Sequence, residues 1–209
     1  MSENAEDPGP PQTPIAIFDE FLVAEEWRHL LDYTLGHAEA FAATQVIGAN
    51  GESRLDQRYR RSKVLFDLGP FHQMFVDRLL TFLPHVVSRL GDPGFGVSQV
   101  EVQLTGTNNQ EFFRIHTDND SAEVSGRRLT FVYFFYREPR GFAGGELRIY
   151  DTLREDGQAR AVGPYRVVYP LQNQIVFFPS GCLHEVLPVG APSGDFADSR
   201  FTVNGWFHQ

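Results

Sequence analysis

Phe112-Phe113-Arg114-Ile115-His116-Thr117-Asp118 is the stretch from which the fold of this chain can be read. Aromatic and β-branched residues at Phe112, Phe113 and Ile115 mark an extended strand. The sequence then turns polar at once, through Thr117-Asp118-Asn119-Asp120, so the strand ends there. His116 and Asp118 stand two apart, and side chains two apart on a strand leave the same face. A polar pair at a strand end belongs at the mouth of a barrel or sandwich, where ligands bind.

Working outward, the same character recurs. Residues 97–104, 111–116, 128–136, 146–151, 165–169, 174–178, 183–187 and 200–207 all read as extended. They are short, rich in aromatic and β-branched residues, and separated by Gly, Pro, Asn and Asp. Upstream, residues 15–18 read as a short strand, and 25–37 as a helix with apolar residues at Trp27, Leu30, Leu31 and Leu35. Residues 43–47 and 59–66 read as strands on either side of the turn-prone Asn50-Gly51. Pro70 opens a second helix with a wide apolar stripe, and Pro84 is expected to kink it. Strands that follow two helices predict a mainly β protein: a double-stranded β-helix, or jelly roll, with N-terminal helices packed on one sheet. Residues 1–13 are expected to form a disordered leader and 14–209 a single domain.

Composition supports one sizeable core, since the 209 residues are 42% hydrophobic and include 19 Phe. The formal net charge is −9 with no long basic run, which argues against a nucleic-acid partner. Cys182 is the only cysteine, so no intrachain disulfide forms. The acidic, proline-rich start lacks the basic and apolar regions of a signal peptide, and no apolar run reaches the length of a membrane span. The expectation is a soluble, cytoplasmic protein with no membrane partner.

A second segment, Phe177-Phe178-Pro179-Ser180-Gly181-Cys182-Leu183-His184, and its continuation Ser199-Arg200-Phe201 complete the chemistry. His184 opens a strand just after an apolar run, whereas His29, His37, His72 and His85 fall in the two helices. Two His and one carboxylate leave three metal positions open, the ligand set of non-haem Fe(II) oxygenases. Arg200 offers a planar fork of donors suited to a carboxylate. Pairing of its strand with the His184 strand, across a hairpin loop at 190–198, is expected to bring it near the metal. An iron enzyme with a keto-acid cosubstrate follows.

Other features have blander readings beside functional ones. Gly144-Gly145-Glu146-Leu147 is a turn before a strand, or a place where backbones approach closely. Cys182 reads as a small buried residue beside the site. The run Arg58-Tyr59-Arg60-Arg61-Ser62-Lys63 is a solvated strand face or the edge of a substrate entrance, with Arg58 and Arg60 on one face and Arg61 and Lys63 on the other. Tyr59, Phe112 and Trp206 are candidates to pack a proline ring. Residues 119–126 and 190–198 are expected to act as lids.

The ordered blocks His116-x-Asp118, Leu129–Phe134, Gly144–Tyr150, His184-Glu185-Val186 and Arg200–Phe207 together resemble the prolyl-4-hydroxylase-like branch of the Fe(II)/2-oxoglutarate dioxygenases. The resemblance implies that His116, Asp118 and His184 bind catalytic iron, and that Arg200 binds the far carboxylate of 2-oxoglutarate. It also implies a tyrosine sharing that carboxylate; Phe134 stands at that place, and Tyr136 is the substitute on the same face. Cofactors would be Fe(II), 2-oxoglutarate and dioxygen, with ascorbate as a reductant. The implied reaction hydroxylates a C–H bond of a prolyl residue in a peptide or protein; the alternation of the basic run and the aromatic faces, rather than the resemblance, nominate Arg58, Tyr59, Arg60 and Trp206 as substrate contacts. The alternatives are hydroxylation of a free amino acid or small biosynthetic intermediate, and a non-catalytic, cupin-like metal-binding module.

Overall fold

The computed structural model describes residues 12–47, 53–54 and 56–209. The N-terminal part carries β1 (Ala16–Phe18), α1 (Ala24–Gly36), β2 (Ala42–Ala43), β3 (Val46–Ile47), β4 (Ser53–Arg54), β5 (Arg60–Arg61), β6 (Lys63–Leu65) and α2 (Pro70–Leu90). There follow β7 (Gln99–Thr107), β8 (Phe112–His116), β9 (Arg127–Phe135), β10 (Ala143–Gly144), β11 (Leu147–Glu155) and β12 (Gln158–Val168). The chain closes with β13 (Gln174–Pro179), β14 (His184–Val186), β15 (Val189–Gly190) and β16 (Arg200–His208).

Two antiparallel sheets carry the jelly roll. One has the order β1-β13-β9-β16-β7-β6-β2 and the other β12-β11-β14-β8-β5. Period-2 alternation explains why the large sheet needs a layer on each face. Val102, Leu104, Phe131, Tyr133, Phe201 and Val203 point outward and bury against Leu30, Phe75, Leu79 and Val86 of the helices. Between them along the strands, Gln103, Thr105, Thr130, Val132, Thr202 and Asn204 point into a cavity between the sheets. Further back, Phe134, Leu147, Ile149, Val168, Val176 and Phe178 close the space between the sheets with a second core. Both helices lie on the same sheet, as the sequence predicts.

Several local expectations need correction. The His184 strand does not pair with the Arg200 strand: β14 pairs with β8 and β11, whereas β16 pairs with β7 and β9. The two residues sit on opposite sheets, and 187–199 is a crossover that contributes β15 to a two-stranded pair with β10. The strand expected at 59–66 is broken at Ser62, with β5 in the small sheet and β6 in the large one. Strand β12 begins well before the expected 165, in a hairpin turned by Asp156 (φ 51) and Gly157 (φ 79). Pro84 lies inside α2, which is unbroken through it. Asn50-Gly51 and most of the expected leader lie outside the described residues. At the leader's end, the backbone N–H groups of Gln12 and Thr13 both donate to the Asp151 carboxylate. Among the described residues, no helix is long and apolar enough to cross a membrane.

Candidate metal centre

His116 and His184 are direct cross-strand partners in the β8–β14 pair, which brings their ring centroids to 4.1 Å. Asp118 follows the end of β8, and its backbone N–H donates to the Ser180 carbonyl at 2.9 Å, fixing the turn. Its Oδ1 stands 3.6 Å from His116 Nε2 and its Oδ2 3.4 Å from His184 Nε2. One ligand atom from each of the three residues falls within 4.8 Å of the others, close enough to share one ion.

The surroundings fix how each ligand presents itself. His116 Nδ1 lies 2.7 Å from the Arg114 carbonyl, and His184 Nδ1 lies 2.9 Å from the Cys182 carbonyl. A carbonyl can only accept, so each Nδ1 carries the proton and each Nε2 turns its lone pair toward the centre. The Thr130 hydroxyl donates to Asp118 Oδ2 at 2.8 Å. Phe113 stacks on the His116 ring at 3.5 Å, and Phe178 meets the His184 ring edge-on at 4.8 Å. Burial, reinforced by the neighbouring His116, pushes His184 down to about 4, so its ring is neutral near pH 7, the form that ligates. Burial alone would raise the Asp118 carboxyl; the facing imidazoles of His184 and His116 outweigh it and hold the group well below the usual carboxylate range.

These residues open into a cavity of about 740 Å³ between the sheets. Arg200, at the start of β16, lines it from the opposite sheet while only 2% exposed. Its guanidinium carbon lies 4.9 Å from the centre of the Phe134 ring. Among the described residues, its Nε and Nη2 have no hydrogen-bond partner. Desolvation lowers its pKa to about 9. A buried charged donor left unanswered is costly, so a carboxylate arriving from the cavity would satisfy it. The side chain is seated against a glycine: a Cβ on Gly145 (φ +71) would stand 2.7 Å from Arg200 Cδ and 2.8 Å from Val189 Cγ2. The donor set fits Fe(II), and the orphaned guanidinium fits the carboxylate of a keto acid.

The structure brings some of the other sequence candidates to this cavity and leaves others away from it. Tyr59, Arg60, Phe112 and Trp206 line it. Arg58 does not: its side chain is 94% exposed, 3.8 Å from Asp56. Tyr136 is also absent from the lining. Its hydroxyl accepts from the Gln172 N–H at 3.1 Å, and its ring meets Phe142, so β9 has already ended and turned it away. Of the two expected lids, 119–126 reaches the cavity through Asp120, Ser121 and Val124. Residues 190–198 contribute nothing to its lining; Phe196 is fixed against Phe41 and Phe201, and Asp195 accepts from the Asn108 side chain. Cys182 is half-buried, and burial pushes its thiol up to about 11, which suits a packing role rather than a nucleophile.

Sequence reasoning passed over Thr130 and Arg127. Arg127 lies 3.5 Å from the Trp206 ring centre and bonds Glu101 at 2.6 Å, at the cavity wall. The signal for Thr130 lies in the alternation of β9, whose residues of even number between Thr130 and Phe134 face inward while Leu129, Phe131 and Tyr133 face the helices. Arg127, of odd number, reaches the cavity past an irregularity in the β9–β16 register, which the alternation does not announce.

Known proteins share the sequence pattern and the fold. Residues 102–208 match the family model described as the 2OG-Fe(II) oxygenase superfamily. An uncharacterized PKHD-type hydroxylase from Synechocystis is 37% identical over 191 residues, covering 90% of this chain; the chain spans 61% of that relative's length. The fold is shared with a Pseudomonas putida prolyl-4-hydroxylase (TM-score 0.67, 20% identity, 95% of this chain and 94% of that one). It is shared too with a prolyl hydroxylase from Trichoplax adhaerens, solved with a hypoxia inducible factor peptide fragment (TM-score 0.66, 17% identity, 94% and 84%).

Proposed function

This chain belongs to the 2OG-Fe(II) oxygenase superfamily, and on that premise we propose that it is an Fe(II)- and 2-oxoglutarate-dependent dioxygenase hydroxylating a prolyl residue in a peptide or protein. The observation that carries the cosubstrate is Arg200, a buried guanidinium with two unanswered donors in the same cavity as the His116, Asp118 and His184 side chains. In this reading the three side chains hold iron, and Arg200 holds the far carboxylate of 2-oxoglutarate. Iron, when bound, activates dioxygen as the keto acid is split to succinate and carbon dioxide. The protein's own part is orientation and exclusion of water. The Nδ1 protons given to backbone carbonyls hold both rings in register, and Thr130 steadies the carboxylate of Asp118. Ascorbate would serve only as an outside reductant.

The prolyl substrate is supported by three aromatic side chains at the cavity, Tyr59, Phe112 and Trp206, whose faces suit a rigid apolar ring. It is supported as well by the peptide-bound prolyl hydroxylase of the same fold. A cytoplasmic setting suits a chain with a single thiol. The test is incubation with Fe(II), 2-oxoglutarate and a library of proline-containing peptides, followed by succinate assay and mass spectrometry. Substrate-dependent succinate and one added oxygen on proline are expected. Asp118→Ala should lose iron and turnover while its far-UV circular dichroism is kept. Oxidation confined to free amino acids or small metabolites would remove the peptide substrate, and absence of any turnover would leave a metal-binding module.

A further inference from the structure

The charges lining the cavity do not cancel. Arg127 is answered by Glu101 at 2.6 Å, and Asp120 by Arg154 at 2.6 Å. With cofactors in place, the positive charges of Fe(II) and Arg200 would be matched by Asp118 and the two carboxylates of 2-oxoglutarate. Arg60 and Arg61 remain. Neither has a carboxylate within ion-pair distance among the described residues, although the chain as a whole carries a formal charge of −9. Arg61 spends its Nε on the Gln57 carbonyl and is exposed.

Arg60 is held differently. Its Nε donates to Ser62 Oγ at 3.2 Å, and among the described residues neither terminal nitrogen of the fork has a hydrogen-bond partner. Its guanidinium carbon stands 4.4 Å from the centre of the Phe113 ring, and that ring stacks at 3.5 Å on His116. A cation, an aromatic ring and a metal ligand thus form one stack, built on the β5–β8 pairing of Arg60 with Phe113. Burial lowers the Arg60 pKa to about 10, while Asp118 opposes that shift, so the guanidinium stays charged and feels the metal site.

Resting on the oxygenase reading above, we propose that Arg60 is a carboxylate anchor, and that the substrate is an acidic peptide whose carboxylate lies one or two residues from the oxidised carbon. The spacing follows from the stack, because the anchor is a single ring away from His116 and extended chain advances roughly 3.3 Å per residue. The two terminal nitrogens of the fork suit a bidentate carboxylate, which a lysine could not grip in the same way. A small free acid offers the same carboxylate, and the probes below separate the two sources.

The test uses protein loaded with Mn(II) and 2-oxoglutarate, so that binding is measured without turnover. The probes are capped pentapeptides with Glu, Gln or Lys preceding proline, a Glu peptide with alanine in place of proline, and N-acetylglutamate. Wild type should bind the Glu–Pro probe about tenfold or more tighter than the Gln–Pro probe, the range of a charge-assisted hydrogen bond. The advantage should vanish in Arg60→Gln, survive partly in Arg60→Lys, and turn toward the Lys probe in Arg60→Glu. Affinity for 2-oxoglutarate should hold in all three variants, which shows an intact pocket. Equal binding of Glu and Gln probes by wild type, a Glu advantage that outlasts Arg60→Gln, or no binding of any acidic probe overturns the anchor. Preference for N-acetylglutamate over every peptide overturns the acidic peptide. An Arg60-dependent preference that is the same for the alanine peptide, with no proline oxidised by the Fe(II) enzyme, keeps the anchor and removes only the prolyl reading.

Discussion

At the scale of single residues, the most consequential one is a cation with two donors unanswered among the described residues. Arg200 is buried, and a carboxylate arriving from the cavity would answer its Nε and Nη2. Replacing it with lysine keeps the charge and loses the fork. Arg200→Lys should therefore weaken 2-oxoglutarate by about 10- to 100-fold while iron affinity changes little. Titration of both ligands on the same preparation checks this, and an unchanged cosubstrate affinity would move the clamp to another cation. The clustering of His116, Asp118 and His184 is legible in the sequence because strand geometry makes a two-residue spacing meaningful, and because His184 opens a strand after an apolar run. Tyr136 was not legible as a bystander. One position past the end of β9, alternation no longer sets direction, and its hydroxyl goes to Gln172. Arg58 failed for the same reason, since it precedes β5 and faces solvent.

At the scale of elements, existence was easier to read than partnership. Apolar alternation announces a strand, but nothing in residues 183–207 says which sheet each strand joins. Nearness in sequence favoured a hairpin between β14 and β16; the chain instead crosses from the small sheet to the large one. Strand β12 was cut short because residues 158–164 are largely exposed, so burial leaves no period there to read. Gly144-Gly145 reads from the sequence as a plain turn or as a close approach, and the structure gives the second reading a definite object. Gly144 and Gly145 both adopt φ +71, and a Cβ on Gly145 would collide with the Arg200 side chain. Gly145→Ala should strain the backbone and displace that guanidinium together, costing about 1–3 kcal/mol of stability and weakening 2-oxoglutarate at least severalfold. Urea unfolding and cosubstrate titration read the two effects separately. If stability falls and affinity does not, the glycine shapes only the turn.

At the scale of the whole molecule, one sheet serves two layers. Tyr133 turns toward the helices, where its hydroxyl donates to Asn173, while Phe134 beside it lies under Arg200. Phe75 of α2 is fully buried against Phe21 and Tyr133, on the face away from the cavity. Phe75→Ala should cost about 3–5 kcal/mol of unfolding free energy and leave iron and 2-oxoglutarate affinities of the folded protein nearly unchanged. Chemical denaturation beside ligand titration decides it; affinities that drop in step with stability would mean that the layers are coupled.

The crossover between β14 and β16 leaves His116 and His184 on one sheet, with Asp118 just past the end of β8, and Arg200 on the other. A keto acid gripped at one end by iron and at the other by Arg200 would be a rivet through the sandwich. In the proposed reaction each cycle would consume that rivet and have to replace it, so the stiffness of this fold would track the supply of its own reagent.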